Sequence, residues 1–141
     1  MIKFTRHFLI PCSIGICFDR SDVLSFAKKH GLHINADGAP KARTFDVGCL
    51  DGYGYCVFVW VNLDKDNVKK NQINVSHAYI AHEAVHCVQF LFDFMGDEKP
   101  SYETEAYFVQ EISYRMFEEL DKEISRIGSH KRIVDGKKRK G

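Results

Sequence analysis

Residues 74–95 leave this chain few choices. Val75, Ala78, Ile80, Ala84, Val85, Val88, Leu91 and Phe92 fall on every side of a helical projection, and a helix that is apolar all round must be central and buried. Within it stands Ala81-His82-Glu83-Ala84-Val85-His86-Cys87. Four residues is close to one helical turn, so His82 and His86 project from one face, one above the other. Two imidazoles placed that way can share one tetrahedral Zn²⁺, with nitrogen–metal distances of about 2.0–2.1 Å. Glu83 is rotated about 100° from His82, too far round to be a natural third ligand. It is well placed to touch a metal-bound water as a general base. Cys87 points away from the His82/His86 face and reads as a small buried apolar residue.

The 141 residues, 45% of them apolar, support one core and one domain. A net charge of +1 excludes a molecule built as a whole to hold polyanions. That balance conceals an asymmetry: residues 129–141 carry six Lys/Arg against one Asp, about +5, which leaves the remainder near −4. We read 1–128 as a single domain and 129–141 as a basic flexible tail, a solvated end and the only segment offering contact to nucleic acid. Five cysteines without a C-x-x-C pair point to reduced thiols in a cytoplasmic compartment. Phe8 to Phe18, behind Lys3, Arg6 and His7, has the outline of a short signal peptide. Pro11 interrupts it, no small-x-small cleavage site follows, and Asp19-Arg20 closes it. No run approaches the roughly 20 apolar residues of a membrane span.

In chain order, residues 2–10 alternate and are aromatic or β-branched, predicting a first strand. Asp19 or Ser21 caps a short helix that Gly31 stops. Residues 35–42 are loop. Residues 44–50 and 53–61 flank Asp51-Gly52, the favoured two-residue hairpin turn. The second of these strands is apolar on both faces and must be covered on both. A polar connection, residues 62–73, leads to the motif helix, opened by Asn74 or Ser76 and running to about Phe94. After Gly96 to Pro100, Ser101 caps a second long helix from Tyr102 to about Ile127, with Tyr102, Ala106, Val109, Met116, Phe117 and Leu120 on its inner face. So short a break implies antiparallel packing of the two helices. The expected architecture is α+β: a small antiparallel sheet packed on a central H-E-x-x-H helix and a second long antiparallel helix.

Two histidines alone would make a weak site, so a third ligand is needed. Glu103 and Glu105, at the start of the returning helix, are the candidates. The helical wheel favours Glu105, and the small Ala106 one turn after Glu103 favours Glu103. His82-Glu83-x-x-His86 followed by Glu103-x-x-Ala106-Tyr107 resembles the gluzincin arrangement. More narrowly, it resembles small zincin-like proteins of bacteriophage genomes, over about residues 76–115. The resemblance implies zinc as cofactor, His82, His86 and Glu103 as ligands, Glu83 as base, a peptide or protein substrate, and the host cytoplasm as location. Gluzincin peptidases often carry Asp or Asn at the position of Tyr107. The carboxylate that would orient a ligand histidine is therefore missing, though the Tyr107 hydroxyl could still donate a hydrogen bond. In zincins an edge strand above the helix aligns the substrate peptide, and the 44–61 hairpin is the candidate here.

Other readings stay open. Gly48-Cys49-Leu50 upstream of H-E-x-x-H resembles peptide deformylase, in which the Cys of a G-C-L segment joins the two histidines; this implies Cys49 as ligand. The Gly-rich, Gln-bearing first motif of that family is not found, and Val85 stands where it has Asp. A non-catalytic zinc-binding accessory protein of phage type would hold the metal without turnover. The expectation from sequence is a zinc-dependent metallohydrolase, a peptidase, with no membrane partner.

Overall fold

A strand apolar on both sides belongs inside a sheet with a layer on each face, and β4 (Gly54–Val61) meets that description. The computed structural model describes residues 1–6, 11–38, 40–65, 70–97 and 100–138, with only the backbone of 70, 71 and 130–138. The other elements are β1 (Lys3–Arg6), β2 (Cys12–Cys17), α1 (Arg20–His30), β3 (Ala42–Leu50), α2 (Lys70–Met95) and α3 (Tyr102–Lys138). The sheet order is β1-β2-β4-β3. β1 and β3 pair antiparallel with their neighbours, while β2 and β4 run parallel. The fold is α+β, a four-stranded mixed sheet against two long helices, where the sequence had suggested an antiparallel one.

The two faces of β4 divide the core. Val57, Val59 and Val61 face α2 and α3 with Ile80, Ala84, Val88, Leu91, Ile112 and Leu120. Cys56, Phe58 and Trp60 face the other way, towards Val23 and Phe26 of α1. Gly31, at φ 64°, ends α1 in the left-handed conformation expected of it.

Of the expected strand over 2–10, Lys3–Arg6 form β1, and residues 7–10 lie outside the described ones. The apolar stretch that resembled a leader contributes β2, an interior strand. The hairpin stands where expected, but its loop is longer by one residue: Leu50 pairs with Gly54, and the Tyr53 N–H donates to the Leu50 carbonyl at 3.0 Å. A two-residue type I′ turn needs positive φ at both central residues, and Asp51, like every other described non-glycine residue, stays at negative φ.

α2 begins at Lys70, earlier than Asn74. The Ser101 hydroxyl accepts the Thr104 N–H at 3.1 Å, the cap read from sequence. α3 continues to Lys138, through most of the basic segment expected to be a flexible tail. Ile112, Met116, Leu120 and Ile127 turn inward, whereas Tyr102 is 92% exposed and Ala106 is exposed too. The sequence pattern predicts both on the inner face. The helix crossing explains the difference: Phe108 packs on Phe92 at 5.3 Å between ring centroids. Counted from that contact at about 1.5 Å per residue, the first turn of α3 lies level with or beyond the end of α2, and Ala106 faces only its last turn. Among the described residues no helix is long and apolar enough to cross a membrane.

Lys65 ties the far end of the molecule together, 2.5 Å from Asp19 and 3.0 Å from Glu123, which also pairs with Arg126 at 2.6 Å. Arg126 above all, with help from Lys65, holds the Glu123 carboxyl down to about 2 although burial opposes it. A depressed carboxylate stabilises the fold above its unfolded value of about 4.5 and loses that contribution as pH falls towards 2. Thermal unfolding of wild type and Glu123→Gln should therefore converge across that window. Discounting for partial exposure, the difference above pH 5 should be about 1–2 kcal/mol.

Candidate metal centre

Helical geometry sets the site. His82 and His86 stand one turn apart on α2, the first exposed and the second half-buried. Their Nε2 atoms lie 3.2 Å apart, with ring planes at 80°. Two nitrogens at adjacent corners of a tetrahedral zinc, each about 2.05 Å from it, are separated by about 3.3 Å. The pair thus fits two corners of such an ion. His86 is held from behind, because its Nδ1 lies 3.0 Å from the Gln89 side-chain oxygen.

Glu83 turns from the histidines towards the sheet and is only 8% exposed. A buried carboxylate needs partners, and Thr44 on β3 supplies one: its hydroxyl donates to Glu83 Oε2 at 2.6 Å. The Cys87 thiol also lies within hydrogen-bond reach of Thr44, and burial pushes its pKa well above the ordinary thiol range. Cys87 is therefore a neutral core residue. His82 and Glu83 line an open groove with Lys41, Ala42, Ala78 and Tyr79. That groove runs beside β3, an edge strand paired only with β4 among the described strands.

The carboxylates of α3 are placed elsewhere. α3 packs on the flank of α2 that carries His77 and Phe92, which touch Phe117 and Phe108. His82 lies five residues from His77, about 140° further round the helix, on the flank beside β3. Those same contacts put Glu103 between roughly 8 and 16 Å along the axis from the level of His86. Glu103 is exposed, Glu105 half-buried and Tyr107 62% exposed. Among the described residues, no group of three His, Cys, Asp or Glu converges to hold a metal. The structure brings the His82 and His86 rings together, turns the adjacent Glu83 carboxylate to Thr44 on the sheet, and leaves Glu103, Glu105 and Tyr107 apart from them.

Cys49 is also remote. It is exposed and pairs in register with Tyr55, whose ring stacks on Phe94 at 4.2 Å. Phe94 is two turns past His86, roughly 12 Å along α2. Burial, followed by Asp46, raises the Tyr55 pKa, and Tyr53 sits among Phe4 and Phe26 on the opposite face of the sheet. Neither tyrosine is placed as a proton donor here.

Thr44 and Gln89 were not foreseen. Gln89 follows His86 by three residues on one helix, a spacing that places neighbours in contact, so a signal existed. Thr44 comes from a strand 39 residues away, and nothing local to the motif announces it. No protein-family model, no curated protein and no solved structure matches this chain.

Proposed function

We propose that this protein is a zinc-dependent metallohydrolase of minimal zincin-like design, acting on an extended peptide. The observation that carries the reading is the 3.2 Å separation of the His82 and His86 Nε2 atoms; the next residue of the helix, Glu83, is held by Thr44 at the groove that His82 also lines. Bound there, zinc would supply an activated water and polarise a carbonyl. Glu83 would take the proton of the attacking water and deliver it to the leaving amine. The Thr44 hydroxyl holds that carboxylate in place, and the free edge of β3 offers backbone groups along which a peptide can lie. Burial of Glu83 keeps bulk water from competing for it.

Glu103 and Glu105 are left out of the proposed ligand set because α3 packs on the other flank of α2. The remaining coordination positions are open to water and substrate. Having only two converging donors among the described residues also favours a second reading, a zinc-binding accessory protein without turnover. A deformylase-like ligand set has less support, since Cys49 stands two turns away.

Metal content by mass spectrometry, together with cleavage of a mixed peptide pool, tests the assignment. One zinc per chain is expected in wild type, Glu103→Gln, Glu105→Gln and Cys49→Ser, and none in His82→Ala or His86→Ala. Loss of zinc in Glu103→Gln would overturn this ligand set. Zinc bound without any cleavage would select the accessory reading.

A further inference from the structure

We infer that Gln89 is a positioning residue for the metal centre: its side-chain oxygen takes the Nδ1–H of His86, so that the Nε2 of that ring carries a lone pair rather than a hydrogen. The inference rests on reading the His82/His86 pair as a metal centre.

An amide oxygen only accepts hydrogen bonds. With Gln89 Oε1 at 3.0 Å from His86 Nδ1, the proton of a neutral ring sits on Nδ1. The lone pair then resides on Nε2, which without metal accepts the Nε2–H of His82 at 3.2 Å. A neutral imidazole without such an acceptor prefers its hydrogen on Nε2. His86 would then present a hydrogen, not a lone pair, to the cation. Gln89 therefore selects the ligating tautomer before any metal arrives, and it fixes the ring plane as well.

The arrangement is local. His86 and Gln89 are three apart on one helix, so the two side chains are neighbours wherever α2 is formed. It also addresses a gap noted in the sequence. Where gluzincin peptidases often carry an Asp or Asn that orients a ligand histidine, this chain has Tyr107, which is 62% exposed on a helix packed against the other flank. Gln89 supplies an acceptor from the ligand helix itself. Partners of this kind are typically worth about 10–100-fold in metal affinity.

The test compares wild type, Gln89→Leu and Gln89→Glu by zinc competition against a chromophoric chelator. Long-range ¹H–¹⁵N spectra of the metal-free proteins read the His86 tautomer. The expected results are an Nδ1–H tautomer in wild type, an Nε2–H tautomer in Gln89→Leu with zinc held about 10–100-fold more weakly, and affinity restored to at least the wild-type level in Gln89→Glu. An unchanged tautomer in Gln89→Leu, or a zinc affinity within twofold of wild type, would overturn the role of Gln89. A wild type that binds no zinc overturns the metal centre itself, and that failure is recognisable because the His86 tautomer still responds to Gln89→Leu.

Discussion

Glu83→Gln should retain one zinc per chain and the wild-type melting temperature, yet lose about 10²–10⁴-fold in kcat. Gln is nearly isosteric with Glu, and its side-chain oxygen can still accept the Thr44 hydroxyl now bonded to Oε2 at 2.6 Å. The neighbouring histidines are untouched, so metal binding should survive. What disappears is the basic oxygen that takes a proton from water, and an amide cannot replace it. Steady-state kinetics on a cleaved peptide, paired with metal analysis, checks both halves. A kcat within a few-fold of wild type would remove Glu83 from the chemistry. Zinc lost along with activity would instead make it a ligand.

The largest effect on stability should come from Gly54→Ala. Gly54 opens β4 at φ +70°, and a Cβ built there would lie 2.3 Å from the Pro11 carbonyl oxygen, a backbone atom that cannot swing aside. The left-handed backbone alone costs a non-glycine residue about 1–2 kcal/mol. The clash would also push β4 from the start of β2, where the Tyr55 N–H donates to the same Pro11 carbonyl at 3.0 Å. Together these should exceed about 3 kcal/mol, in the range of the most damaging single substitutions. Chemical denaturation measures it directly. A loss under about 1 kcal/mol would mean that the β2–β4 junction relaxes freely.

The parts of the fold that could be read from residue order are those whose pattern is self-contained. β4 announces itself by being apolar on both faces, and α2 by being apolar all round. Gly31 and Ser101 mark helix ends by local backbone and cap chemistry. β2 was obscured because the seven residues between Pro11 and Asp19 are as apolar as the core of a leader. Its identity depends on pairing with β1 on one side and β4 on the other, and only the folded chain supplies those partners.

The site divides the same way. His82, Glu83 and His86 follow from the helical repeat alone. A ligand arriving from α3 depends on which flank of α2 that helix packs against, and the contacts of Phe108 and Phe117 with Phe92 and His77 decide that. Antiparallel packing was legible from the short break, but the rotation of one helix about the other was not. Thr44 was invisible for a similar reason, since strand register brings it to Glu83.

Diffraction from zinc-soaked crystals, collected at the zinc absorption edge, puts the metal centre to its most direct test. The expected result is a single anomalous peak about 2.0–2.1 Å from the Nε2 atoms of both His82 and His86, with Gln89 still behind His86. No peak between those rings, with the two nitrogens left sharing a hydrogen bond, would contradict it.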